Sequence, residues 1–142
     1  MEISADNGTY VAPHAYHDAS YNRLLDLGVR SFEHGFLISE DTVKRMKKMQ
    51  KEGAEIAWSF QCFMSINTFG AYESMPGFFS HEQKVKGVAV GEGARQVAKW
   101  MTEHDVFMIG GSDMFTAPYS AIIKEDITSN VGAGFTSAQA LK

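Results

Sequence analysis

Three residues of this 142-residue chain combine metal-ligand chemistry with a shared position: His14, His34 and Asp113. His14 follows the run Thr9-Tyr10-Val11-Ala12-Pro13, and His34 closes Val29-Arg30-Ser31-Phe32-Glu33. Asp113 ends Gly110-Gly111-Ser112, just after the apolar Val106-Phe107-Met108-Ile109. If these runs are parallel strands of one sheet, their C-terminal ends lie together, and α/β folds place their sites at that end. Two imidazoles and a carboxylate are ligand types of zinc and iron hydrolase sites. Each residue also has a plainer role. A histidine at a strand end commonly packs or faces solvent, and an aspartate after Gly-Gly-Ser commonly serves a turn or a helix cap. No dense ligand motif such as HExxH occurs in the chain to decide between the two.

Secondary candidates surround these three. Tyr16, two residues beyond His14, shares its side of an extended strand. It either contacts a substrate carboxylate or carbonyl oxygen or simply packs at the rim. Gln61 and Ser65 follow a third strand and are candidates to touch substrate. His17 points away from His14 and is expected to be exposed. Cys62 lacks a neighbouring base and reads as a buried thiol.

The elements that must hold these residues alternate strand with helix. The strands expected are Thr9–Pro13, Val29–His34, Glu55–Phe60 and Val106–Ile109. A first helix starts at Asp18 as its N-cap, carries Tyr21, Leu24 and Leu25 on one face, and ends at Gly28. A second has Ser39 as N-cap, acids Glu40 and Asp41 in its first turn, basic Lys47, Lys48 and Lys51 toward its end, and Gly53 as its stop. A third is expected from His81 to Glu103, kinked or split by Gly87, Gly91 and Gly93. A fourth covers Tyr119 to Ser129, and a last one, capped by Thr136, covers Ser137 to Lys142. Between Gln61 and Ser80 the pattern reads as a long loop. It is rich in Phe63, Met64, Phe69, Tyr72, Met75, Phe78 and Phe79, a length that compact domains keep when it serves a function. Four strand–helix repeats with apolar strands describe an α/β fold with a parallel sheet.

Composition narrows the function classes. Thirteen Lys+Arg against seventeen Asp+Glu give a net charge of −4, which argues against nucleic acid as a general partner. With 44% hydrophobic and 21% charged residues the chain is globular in composition. No segment approaches the roughly 20 apolar residues of a membrane span. One cysteine rules out an internal disulfide.

The local sequences extend the strand-end pattern. Val11-Ala12-Pro13-His14-Ala15-Tyr16, Gly28-Val29-Arg30-Ser31-Phe32-Glu33-His34-Gly35 and Gly110-Gly111-Ser112-Asp113 resemble the amidohydrolase superfamily. The likeness is to its imidazolonepropionase and Xaa-Pro dipeptidase (prolidase-like) branch. Members carry H-A-H or H-A-Y after barrel strand 5, G-V-x-S-I-E-H-G at strand 6 and G-T-D or G-S-D at strand 8. The tail Gly134-Phe135-Thr136-Ser137-Ala138-Gln139-Ala140-Leu141 resembles the helix start that follows in this branch. The likeness runs from Gly8 to Lys142.

That resemblance implies a metal-dependent hydrolase on a (β/α)8 TIM barrel, of which the four strand–helix units here are units 5–8. It implies His14, His34 and Asp113 as ligands of a divalent metal, zinc first, with iron or manganese as alternatives. Asp113 is then also the catalytic residue that moves a proton from the nucleophile to the leaving amine. Tyr16 and Gln61 are then substrate-binding residues for a small amide or peptide, such as a dipeptide or N-acyl amino acid. A cyclic-amide hydrolase or a deaminase of the same superfamily is an alternative. The family's H-x-H pair of strand 1 and lysine of strand 4 have no counterpart in the chain, and a whole barrel takes about 250 residues. Residues 1–142 are therefore expected to be the C-terminal half of a barrel domain, inactive alone. A half barrel has open sheet edges and needs the remaining half or a second copy. The other possibility is a non-catalytic half-barrel module that self-associates. The compartment is open: cytoplasmic, or periplasmic and secreted.

Overall fold

The structure is a computed structural model that describes residues 2–74, 77, 79–113 and 119–141. It is a mixed α/β fold. A short helix α1 (Glu2–Asp6) precedes strand β1 (His14–His17), helix α2 (Asp18–Asp26), strand β2 (Ser31–Leu37), helix α3 (Glu40–Lys51) and strand β3 (Ala57–Ser59). A π-helix (Phe63–Thr68) and a 3-10 helix (Phe69–Ser74) lead to the long helix α4 (His81–Glu103). Helices α5 (Tyr119–Gly132) and α6 (Ser137–Ala140) close the chain. The strands form one parallel sheet in the order β1-β2-β3.

The capping chemistry of the sequence sets the best-defined ends. Ser39 caps α3 and accepts from the Thr42 N–H, as expected. Ser80 and Gln83 form a reciprocal capping box at the start of α4, and Thr136 and Gln139 form another at α6. Asp18 behaves otherwise. The N-cap of α2 is His17, and the Asp18 carboxylate instead crosses to the start of α3. There it accepts from the Ser39 N–H at 2.7 Å, the Ser39 hydroxyl at 3.1 Å and the Thr42 hydroxyl at 2.7 Å. Three donors outweigh the single one that a cap position offers.

Several expected boundaries move. Thr9–Pro13 is not a strand, and β1 instead begins at His14. β2 runs through His34 to Leu37 rather than stopping at His34. The expected fourth strand is reduced to one parallel bridge, Ser59 to Ile109, with the Ile109 N–H donating to the Trp58 carbonyl at 3.0 Å. The segment after Gln61 is helical through Ser74 rather than a loop. Within that aromatic stretch Met75 and Phe78 lie outside the described residues, as does Lys142 in the last helix.

Helix α4 is unbroken across all 23 residues despite its three glycines, because the glycines lie where neighbours press closest. A Cβ at Gly87 would meet the Tyr72 ring at 2.1 Å. One at Gly91 would meet the Gly70 backbone at 2.8 Å, and one at Gly93 the Phe36 carbonyl at 2.6 Å. Tertiary contact thus overrides helix propensity. The core that α4 helps to cover is aromatic: Tyr21, Phe32, Phe36, Trp58 and Phe60 are each fully buried.

Candidate functional site

The site is built at the middle of β2. His34 has φ +68° and Gly35 φ +78°, so two consecutive residues leave the extended conformation inside the strand. The left-handed region costs a non-glycine residue about 1–2 kcal/mol, and it persists only where surroundings enforce it. Two buried aromatics do so here. The Trp58 indole N–H donates to the His34 carbonyl at 2.7 Å, and the Tyr21 hydroxyl donates to the Glu33 carbonyl at 3.0 Å. Gly35 must be glycine twice over: a Cβ would lie 2.5 Å from the Tyr21 oxygen and 2.8 Å from the Trp58 ring.

The turn swings the His34 imidazole toward β1. His14 Nδ1 and His34 Nε2 stand 2.6 Å apart, with ring centroids at 4.8 Å. Tyr16 also stacks on His34, at 4.9 Å and 24°, and meets Phe36 edge to face. His14 is exposed whereas His34 is buried. Burial lowers the pKa of His34, against the opposing influences of Gln61, Asp113 and Glu33 and with that of His14, so its neutral form is favoured.

The second nitrogen of His34 is also engaged. Its Nδ1 lies 2.7 Å from Gln61 Oε1, and the Gln61 amide nitrogen donates to Glu33 Oε2 at 2.9 Å and to the Ser59 hydroxyl at 3.2 Å. Gln61 is buried and itself left-handed, at φ +60°. The Ser65 N–H and hydroxyl, at the start of the π-helix, both hold its carbonyl at 3.0 Å. Strict strand alternation puts Glu33 on the face opposite His34, but the left-handed turn brings both side chains to Gln61. Alternation alone misses Glu33 and Ser59 as members of the site. The sequence signal for them is Gly35 directly after the histidine, which marks a break in the period of two.

Asp113 lies on the segment that follows the single bridge at Ile109. It is exposed and left-handed, at φ +53°. Its charge reaches both other residues: it opposes the drop at His34 and, after burial, helps to raise the pKa of Tyr16. Asp126, buried in α5, anchors this segment by accepting from the Gly111 and Phe63 N–H groups. Burial raises its pKa more than these donors lower it. Of the four left-handed non-glycine residues among those described, His34, Gln61 and Asp113 belong to this one site. The remaining candidates lie aside. His17 is exposed, and Cys62 is fully buried with its thiol pKa pushed far up by burial.

The donor set accommodates a divalent cation in part. Two ligand nitrogens on a tetrahedral zinc stand about 3.3 Å apart, so the two rings need to separate by under ~1 Å. Nδ1 of His14 and Nε2 of His34 already face one another at 2.6 Å. Among the described residues, no three His, Cys, Asp or Glu side chains are grouped as a complete ligand set. Likewise, no helix among them is long and apolar enough to cross a membrane.

No protein-family profile matches the chain, and no curated protein matches it. Solved structures do. A crystal structure of a Xaa-Pro dipeptidase with methionine bound in the active site superposes with a TM-score of 0.80 at 21% identity, covering 98% of this chain and 32% of that one. A prolidase complexed with N-methylphosphonate-L-proline gives 0.68 at 25% identity, covering 99% and 32%. The A. niger ochratoxinase gives 0.76 at 20% identity, covering 99% and 30%. The chain spans about a third of the length of these structures. These likenesses are of fold: the mixed α/β arrangement of this chain matches a part of amidohydrolase TIM-barrel proteins.

Proposed function

We propose that this chain is the portion of a metal-dependent hydrolase that carries strand–helix units 5–8 of a (β/α)8 barrel, and that the complete enzyme cleaves the C–N bond of a dipeptide or N-acyl amino acid. The observation that carries this reading is the 2.6 Å approach of His14 Nδ1 and His34 Nε2 across adjacent parallel strands, with Asp113 close enough to bias both His34 and Tyr16. The dipeptidase and prolidase among the structural neighbours support the substrate class.

In this reading His14 and His34 hold a divalent metal, zinc first and iron or manganese as alternatives, with Asp113 as the third ligand. The metal supplies Lewis acidity and a water acidified toward neutral pH. Asp113, exposed at the end of its segment, accepts the proton of the attacking water and delivers it to the departing amine. The Tyr16 ring stacks on His34 and is within electrostatic reach of Asp113, and in this reading its hydroxyl donates to a substrate carboxylate or carbonyl oxygen. Gln61 has its whole amide committed to His34, Glu33 and Ser59, and acts on the reaction through His34. Among the described residues β1 has a partner on one side only, and beyond β3 there is a single bridge, so the sheet offers edges to the remaining barrel half or to a second copy.

Equilibrium dialysis of the metal-free chain against Zn(II), Mn(II) and Co(II), followed by turnover assays, tests this. One bound ion per chain is expected, lost in His14→Ala and His34→Ala, with no substantial turnover of dipeptides or N-acyl amino acids by the chain alone. Absence of binding, or binding indifferent to both substitutions, refutes the metal site. Turnover by the 142-residue chain refutes the dependence on a further segment.

A further inference from the structure

We propose that Gln61 is a positioning residue: its amide, oriented by Glu33, fixes His34 as the Nδ1–H tautomer and leaves Nε2 as the bare nitrogen that faces His14. The inference rests on the metal-dependent reading above for its purpose, but its structural content can be measured without a metal. The orientation of the amide follows from its neighbours. Glu33 Oε2 is a carboxylate oxygen and only accepts, so the group 2.9 Å from it must be the Gln61 –NH₂. Gln61 Oε1 is therefore the atom 2.7 Å from His34 Nδ1, and an amide oxygen only accepts. His34 Nδ1 must then carry the proton. A neutral imidazole has one donor and one acceptor, so Nε2 is bare.

The same logic continues to His14. Its Nδ1 lies 2.6 Å from an acceptor nitrogen, so in the metal-free chain His14 Nδ1 holds a proton and donates it to His34 Nε2. Were a metal held here by His14 and His34, it would stand where that single proton does; His14 Nδ1 would give up its proton to solvent and its Nε2 would take one up, leaving the ring neutral. The three hydrogen bonds thus share one donor direction, from His14 through His34 and Gln61 to Glu33. Partners of this kind, hydrogen-bonded to the far nitrogen of a ligand imidazole, typically govern metal affinity by 10–100-fold.

The test is long-range proton–nitrogen NMR on the ¹⁵N-labelled, metal-free 142-residue chain at about pH 8, where imidazoles are neutral. The result expected is a protonated-type signal at His34 Nδ1 and a bare-type signal at Nε2. In Gln61→Leu at least half of the molecules should move the proton to Nε2, and Zn(II) affinity should fall roughly 10–100-fold. The double exchange Glu33→Gln with Gln61→Glu keeps an acceptor on His34 Nδ1 and a donor behind it. It should restore the signal pattern and return zinc affinity to within about threefold of the original, and it supplies the answer if Gln61→Leu alone does not fold by circular dichroism. An Nε2–H pattern in the unsubstituted chain, or a pattern indifferent to both variants, overturns the proposal. The expected tautomer without zinc binding sinks the metal-dependent reading instead and leaves the role of Gln61 standing. Zinc binding with the Nε2–H pattern does the reverse.

Discussion

The Trp58 indole nitrogen donates to the carbonyl of His34 at 2.7 Å, so the turn that aims the site's buried imidazole is held from the hydrophobic core. Trp58 is fully buried, and that carbonyl belongs to a residue at φ +68°. Replacing the indole by phenyl leaves the carbonyl without its donor and opens a gap. Trp58→Phe is expected to destabilise the chain by about 1–3 kcal/mol. It should also weaken zinc binding although residue 58 touches no ligand atom. Urea unfolding and metal titration check the two effects together. A variant that loses stability with unaltered zinc affinity contradicts the coupling between this bond and the His34 geometry.

Gly35→Ala is expected to cost about 3 kcal/mol or more, because it combines a left-handed backbone with a Cβ placed against Tyr21 and Trp58. The measurement is the midpoint of urea denaturation compared with the original chain. A loss under ~1 kcal/mol would mean that the turn at His34–Gly35 is looser than described.

Two glycines in helices should respond in opposite directions. Alanine at position 91 gains about 1 kcal/mol in helix propensity, but its Cβ meets the Gly70 backbone at 2.8 Å, and overpacking costs about 1–3 kcal/mol. Gly91→Ala should therefore lower the melting temperature. Gly132→Ala, at the end of α5 with open space around the new Cβ, should hold it or raise it. Parallel thermal melts decide; equal shifts in both variants would remove the close approach of α4 to the 3-10 helix.

Asp18 gives a pH dependence with a definite sign. Burial acts to raise its carboxyl, but the hydrogen bonds from the Ser39 N–H, the Thr42 hydroxyl and the Ser39 hydroxyl hold it below its ordinary value near 3.8. The folded state thus binds the proton less readily than the unfolded one. The stabilisation is complete above the unfolded pKa and is lost as pH falls through the lower, folded value. Asp18→Asn should lower stability at about pH 6, and its difference from the original chain should narrow as pH falls below the ordinary carboxyl value of 3.8. Urea melts across that window are the check; a gap that widens on acidification reverses the sign.

The parts of the fold legible in the sequence are those written in local chemistry. Ser39 with Glu40 and Asp41 marks the start of α3, and the apolar runs around Phe32 and Trp58 mark adjacent buried strands. The two histidines do meet, but not as strand ends: His14 opens β1 and His34 lies inside β2, and the parallel register that pairs Ala15 with His34 brings them together. What is not legible depends on left-handed backbone. A period of two separates Glu33 from His34, yet φ values of +68° and +78° at His34 and Gly35 bring both to Gln61. Likewise nothing in the composition of Phe63–Thr68 announces a π-helix. The three glycines of α4 read as helix breakers in isolation and are contact points in the fold.

The sheet order β1-β2-β3 is also the order of the chain. Each strand can therefore add to an edge that already exists, with one helix closing each crossover, as synthesis proceeds from the N-terminus. The ring pair spans 20 residues of sequence and the His34–Gln61 contact 27, so these junctions form only when non-local loops close. A ribosome-bound chain would meet them in sequence: first the two imidazoles, then the amide that orients one of them, and last the aspartate. On the proposed reading, His34 would meet the amide that orients it before Asp113 is synthesised, because Gln61 precedes Asp113 in the chain.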